Sequence, residues 1–191
     1  LAVFLPNWLG DLVMATPALR AIRRHLGPDV QITGIIRPHL ADVLEGTDWF
    51  NELWLFDPRA NRPELRRLAL LRELRRDRPD RILLLTNSLH TGVLAWLSGA
   101  GQRIGYVRYG RGPLLTGKVY PPRRHGQIAM LPMVKYYLRL AEAMGCPPES
   151  PRLELAVTEA DRLSADRVWH RMGLRDGSRV VLLNSSGAYG P

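Results

Sequence analysis

The stretch PNWLGDLVMATPALRAI, residues 6–22, sets one carboxylate, Asp11, directly after Gly10, where a short apolar strand passes into a helix. A carboxylate at such a turn can cap the helix, accepting backbone N–H bonds while the helix dipole favours its charge. It can equally stand at the mouth of a cleft as a general base that takes a proton from a bound hydroxyl. Pro17 bears on the choice. It lacks the N–H that would bond back to Val13, so regular helix is expected from Thr16–Pro17. Residues 10–15 would then be an irregular loop that leaves Asp11 free to face a ligand. Spacing alone leaves both readings open.

Two further stretches carry polar groups suited to the same site. TNSLHTG places Asn87 and Ser88 at a strand-to-helix turn, with His90 just beyond. One of the two should cap the helix, and the other can hydrogen-bond sugar hydroxyls. YVRYGRGPLLTGKVYPPRRH, residues 106–125, mixes Arg108, Arg111, Lys118, Arg123 and Arg124 with glycine and proline. Arginine binds phosphate and carboxylate in bidentate fashion, so this segment reads as a loop that closes over an anion, or as a loose surface loop. NSSGAYGP, at the end of the chain, is a candidate phosphate cradle of backbone amides. It lacks both GK[ST] and GxGxxG, so nothing supports a nicotinamide cofactor.

The charge is placed unevenly. Net charge is +9, from 27 basic and 18 acidic residues. From Arg81 to Ala141 there is no Asp or Glu, while nine Lys and Arg fall there, so the whole excess sits in one block. Such a block attracts polyanions. It also suits a solvated face beside a membrane or nucleic acid with no dedicated pocket. The five histidines show no metal-ligand spacing with one another or with Cys146. A lone cysteine allows no internal disulfide, which fits a reducing compartment. No run approaches the roughly 20 apolar residues of a membrane helix, and Leu1–Leu5 is too short for a secretory leader.

The elements that would position these residues alternate. Strands are expected at Leu1–Leu5, Val30–Ile36, Leu53–Phe56, Ile82–Leu85, Arg103–Tyr106 and Val180–Leu183. Helices are expected at Thr16–Leu26, Arg37–Gly46, Pro63–Asp77, Ser88–Ser98, Gln127–Met144 and Glu159–Met172. Pro132 should kink the fifth of these or delay its start. In the first, Leu19, Ile22 and Leu26 should face inward and Arg20, Arg23 and Arg24 outward. In the third, Leu65, Leu68, Leu71 and Leu74 should form one stripe. Consecutive apolar positions suit strands covered on both faces, and alternation at this spacing implies an α/β fold with a parallel, Rossmann-like sheet. In such sheets ligands gather beyond the carboxyl ends of the strands, which brings together Pro6–Asp11, Thr86–His90 and Val107–Gly112. A boundary is expected at GCPPESP, residues 145–151. The chain divides into a domain over 1–172 and, over 173–191, the first strand and loop of a second domain.

The three stretches PNWLGDLVMATPALRAIRR, LLLTNSLHTGVLAWLSGAGQRIGYVRYGR and VVLLNSSGAYGP together resemble the ADP-heptose:lipopolysaccharide heptosyltransferases of glycosyltransferase family 9, most closely the heptosyltransferase II type. The resemblance implies the N-terminal, acceptor-binding half of a two-domain GT-B enzyme. It implies metal-independent, inverting transfer of heptose from ADP-L-glycero-D-manno-heptose to the lipopolysaccharide inner core, with no cofactor beyond the donor substrate. Asp11 holds the place of the family's general base. Asn7, Trp8, Gly10, Asn87, Ser88, His90, Arg108, Arg111, Lys118, Arg123 and Arg124 become acceptor-binding candidates, and Ser185, Ser186 and Gly187 donor-binding ones. His90 stands where related sequences often carry Lys or Arg. The expected partners are a nucleotide sugar and a lipid A–Kdo/heptose acceptor, not nucleic acid. The expected protein is a cytoplasmic monomer, peripheral at the inner face of the inner membrane. The 191 residues alone are expected to be inactive. The competing expectation is a non-catalytic module that binds anionic glycolipid or nucleic acid through residues 81–141.

Overall fold

The structure, a computed structural model, describes residues 1–124, 127–174, 179–181 and 183. The chain divides into two compact units, Leu1–Ala156 and Val157–Pro191.

The first unit is an α/β sandwich around one parallel sheet. Its elements run β1 (Ala2–Phe4), α1 (Leu9–Leu26), β2 (Thr33–Ile36), β3 (Glu52–Leu55), α2 (Arg67–Asp77), β4 (Arg81–Leu84), α3 (Leu89–Leu97), β5 (Gln102–Tyr106) and β6 (Gly117–Val119). A small hairpin of β7 (Arg123–Arg124) and β8 (Gln127–Ile128) follows, then α4 (Met133–Glu142). The sheet order is β3-β2-β1-β4-β5-β6, and every neighbouring pair is parallel. The expected Rossmann-like class is what forms.

Period-2 alternation sorts the strand side chains onto two faces. Val3, Leu5, Leu83, Leu85 and Tyr106 pack with residues of α1 and α4. Ala2, Phe4, Ile82 and Leu84 pack with residues of α2 and α3. Each fully buried Leu, Ile or Phe contributes about 1.5–3 kcal/mol relative to exposure. Both faces of the central strands are therefore held, and the loops at their carboxyl ends start from fixed points.

Several boundaries differ from expectation. The first helix starts at Leu9, not Thr16, and Pro17 lies inside it. The Val13 carbonyl that Pro17 cannot serve instead accepts the Thr16 hydroxyl at 2.8 Å, so the helix continues through the proline. Of its three arginines expected to face outward, Arg24 is exposed, but Arg20 and Arg23 turn inward. Arg20 is buried against Glu149, Glu154 and backbone carbonyls. Arg23 is half-buried and donates to Trp49, Gly27, Val30 and Asn51. The Arg37–Gly46 stretch is a 3-10 helix over Pro38–Leu44. The third expected helix is split into a 3-10 turn at Pro63–Leu65 and α2. That break shifts the helical phase, so Leu70 and Leu74 are buried while Leu68 is exposed. The expected Gln127–Met144 helix begins only at Met133, with Pro132 as its N-cap, because β8 takes up Gln127–Ile128 by pairing with β7.

In the second unit, α5 (Glu159–Arg171) is opened by a capping box between Thr158 and Asp161. Of the expected strand at Val180–Leu183, residue 182 lies outside the described residues, and Val180, Val181 and Leu183 are exposed and in no strand.

Candidate functional site

The order of the sheet creates the site. From β1 the chain runs outward through β2 to β3, then returns to lay β4 on the other side of β1. The loops after β1 and β4 therefore leave in opposite directions, and a crevice opens between them. The register places Phe4 opposite Leu84, so the two loops begin level with each other. A cleft of about 180 Å³ lies there, lined by Pro6, Asn7, Trp8, Asp11, Leu85, Thr86, Asn87, Ser88, Met133 and Tyr137.

Asp11 enters this cleft from the first turn of α1. It is not the helix cap, since that position is Trp8, which makes no side-chain capping bond. The expectation of an irregular loop over residues 10–15 is thus corrected, although Asp11 still faces the cleft, half-buried. Opposite it, α4 presents Tyr137, 3% exposed. Burial first, and then the negative charge and hydrogen bonding of Asp11, push the Tyr137 phenol well above its ordinary value. The phenol therefore keeps its proton and stays a donor.

On the β4 side, Asn87 is held from behind. Its side-chain oxygen accepts Arg111 Nη2 at 3.2 Å and the Tyr136 hydroxyl at 3.0 Å. Arg111 is fully buried; its Nε donates to the Tyr106 carbonyl at 2.8 Å, and its Nη1 donates to the Thr86 carbonyl. Burial lowers its pKa to about 10. Tyr106 stacks on Tyr136 with ring centroids 3.8 Å apart and donates its hydroxyl to the Tyr136 carbonyl at 2.9 Å. Two glycines make room for the arginine, Gly105 for its guanidinium and Gly92 for its stem. A Cβ at Gly105 would stand 3.2 Å from Arg111 Nη2, and one at Gly92 would stand 3.3 Å from Arg111 Cβ.

On the β1 side, Asn7 accepts Arg37 Nε at 2.9 Å, and Arg37 is paired with Asp57. The N–H of Arg59 holds the Asp57 carboxyl below its ordinary value against the opposing effect of burial, with the charge and hydrogen bond of Arg37 adding to the lowering. Ser88 caps α3 by accepting the His90 N–H at 3.1 Å. Among the expected site residues, Asn7, Trp8, Asp11, Asn87 and Ser88 line one cleft. Gly10 adjoins them, and a Cβ there would meet nothing within 4 Å. Nothing in packing or dihedral angle requires that glycine.

The cationic residues divide. Arg108 is half-buried and lies 5.0 Å over the Tyr109 ring. Lys118, Arg123 and His90 are exposed outside the cleft lining. The backbone of Arg124 pairs in β7. Arg111, expected to meet an acceptor, instead serves the protein's own carbonyls. Ser185, Ser186 and Gly187 lie outside the described residues. Tyr137, Tyr136 and Arg37 are the groups that sequence reasoning missed. The two tyrosines sit in what reads as an ordinary apolar helix face. Among the described residues, no cluster of His, Cys, Asp and Glu could hold a metal ion.

A profile of glycosyltransferase family 9 (heptosyltransferase) matches residues 67–188. The fold is that of a family 9 glycosyltransferase from Veillonella parvula, with 24% identity and a TM-score of 0.73 over 92% of this chain and 50% of that one. E. coli ADP-heptose LPS heptosyltransferase II aligns at 22% identity and TM-score 0.67, over 92% of this chain and 51% of that one. E. coli heptosyltransferase WaaC, solved with ADP-2-deoxy-2-fluoro heptose, aligns at 12% identity and TM-score 0.57, over 76% of this chain and 48% of that one. The chain spans about half the length of these solved relatives. No functionally curated protein matches it.

Proposed function

The chain belongs to glycosyltransferase family 9, the heptosyltransferases, and from that premise we propose that it is the acceptor-binding half of a GT-B heptosyltransferase with Asp11 as general base. The observation that carries the reading is the position of Asp11 in the crevice at the sheet's switch point, among Asn7, Asn87 and Tyr137.

In the proposed reaction, Asp11 accepts the proton of an acceptor sugar hydroxyl. That oxygen attacks C1 of the donor heptose from the face opposite the leaving group. The bond from C1 to the phosphate oxygen breaks, ADP departs with the electron pair, and the anomeric centre inverts. ADP-L-glycero-D-manno-heptose is the proposed donor, since one relative of like fold was solved with a fluorinated analogue of an ADP-heptose. The proposed acceptor is a lipid A–Kdo/heptose core. No metal and no cofactor enter this scheme. Arg108, Lys118, Arg123 and Arg124 are the cations proposed to meet acidic groups of the acceptor, with Ser88 and His90 beside them. Ser185, Ser186 and Gly187 are proposed to hold the donor phosphates. Among the described residues no helix is long and apolar enough to cross a membrane. We place the protein as a monomer in the cytoplasm, touching the membrane only peripherally.

The test is transfer by the full-length protein with a truncated lipopolysaccharide core and a panel of nucleotide sugars. Asp11→Asn and Asp11→Ala should lower kcat by about 10²–10⁴-fold while the KM for acceptor stays nearly constant. Transfer at the wild-type rate by either variant would end the assignment.

A further inference from the structure

Two carboxamides face the cleft on either side of Asp11, and both are turned the same way. Asn7 gives its oxygen to Arg37 Nε at 2.9 Å. Asn87 gives its oxygen to Arg111 Nη2 at 3.2 Å and to the Tyr136 hydroxyl at 3.0 Å. A carboxamide has one accepting end and one donating end. Rotating either side chain by half a turn would set its N–H2 against a guanidinium that can only donate. At Asn87 two donors would lose their acceptor, and both belong to buried residues. Neither arginine is free to follow such a turn: Asp57 holds Arg37, and the Thr86 and Tyr106 carbonyls hold Arg111.

The neighbouring hydroxyl has its proton committed as well. Thr91 donates its own proton to the Ser88 carbonyl at 2.9 Å. In the 3.0 Å contact between Thr86 and Thr91, the donor is therefore Thr86.

We infer that Asn7 and Asn87 are obligate donors to the bound acceptor, so that the hydroxyl reaching Asp11 must be flanked by groups able to accept a hydrogen bond, such as hydroxyl, ether or carboxylate oxygens. This rests on the reading of Asp11 as the base. It adds a specificity rule: Arg37 and Arg111 act through the asparagines as positioning residues, and the polarity of the cleft selects the acceptor. A hydroxyl flanked by groups that only donate, such as the ammonium of an amino sugar, would meet two N–H2 groups and be refused.

Asn87→Asp and Asn7→Asp test the rule, because a carboxylate keeps every bond to Arg111, Tyr136 and Arg37 and sets an oxygen where the outward N–H2 was. Repeating the assay at high salt screens the charge it adds, and a KM rise that vanishes at high salt would overturn the inference. Each should raise the acceptor KM of the full-length protein by about tenfold or more, the scale of one lost hydrogen bond plus an oxygen set against an oxygen. The donor KM and the thermal midpoint should stay as in the wild type. An unchanged acceptor KM in both variants would overturn the inference, as would a fall in thermal midpoint that accounts for the loss. Asp11→Asn, measured in the same assay, separates the two levels. If it is inactive while Asn87→Asp and Asn7→Asp behave as wild type, only the donor rule fails. If it is active, the reading of the base fails.

Discussion

Arg111 and Asn87 are joined by a 3.2 Å hydrogen bond from a fully buried guanidinium to a side-chain oxygen at the cleft wall. Arg108, three residues earlier, is half-buried and lies over Tyr109. The two arginines should therefore fail differently. Arg111→Ala leaves the Thr86 and Tyr106 carbonyls without their partner and opens a void between Gly92 and Gly105. Such a change costs about 2–4 kcal/mol, read as a lower denaturation midpoint. Arg108→Ala should leave that midpoint within about 0.5 kcal/mol of wild type and weaken acceptor binding.

That contrast marks how far the sequence could be read. The alternation of apolar runs gave the sheet and its ligand edge, because strands buried on both faces carry an unbroken apolar signature. The place of Asp11 followed from the same reasoning. The sequence could not separate Arg108 from Arg111, since both stand in one Gly-rich stretch and only packing decides which guanidinium turns inward. A retrospective signal exists in Gly92 and Gly105, small residues that clear a volume for a large one. Pro17 misled because the rule for helix starts ignores a local substitute donor, here the Thr16 hydroxyl. β1 is equally short but apolar throughout, whereas β6 and the β7–β8 hairpin escaped because GKV, RR and QI form no apolar run.

Gly10 offers a test in which stability and activity part. It lies in the first turn of α1, and a Cβ there would meet nothing within 4 Å. Gly10→Ala should therefore hold or raise the thermal midpoint, by up to about 1 kcal/mol of helix preference. If acceptor or donor approaches the backbone beside Asp11, the same methyl should cut transfer markedly. A variant that is both stable and fully active would show that the glycine has no role in binding.

Acid should loosen the β1 side of the cleft. The Asp57 carboxyl is held below its ordinary value of 3.8, by the Arg59 N–H and then by Arg37. As pH falls through that region the unfolded chain takes up a proton that the folded one resists, so stability drops. The urea midpoint should be flat above about pH 5 and decline below pH 4. Asp57→Asn should start lower at neutral pH and show a shallower decline. An identical slope in both proteins would remove Asp57 from the account.

Tyr137 is the remaining lever on the proposed base. Its phenol is buried and interacts with the Asp11 carboxylate, while its ring packs edge-on to Tyr136 with centroids 5.9 Å apart. Tyr137→Phe keeps the ring and removes the donor. The phenol holds the carboxylate in one orientation toward the acceptor hydroxyl, so its loss should lower kcat/KM through misplacement of Asp11. One such bond contributes about 1 kcal/mol, which corresponds to a three- to tenfold loss of kcat/KM near neutrality. In an Asp11→Asn background the same change should cost almost nothing, because the carboxylate it served is gone. Equal losses in the two backgrounds would show that Tyr137 acts on the fold alone and not through Asp11.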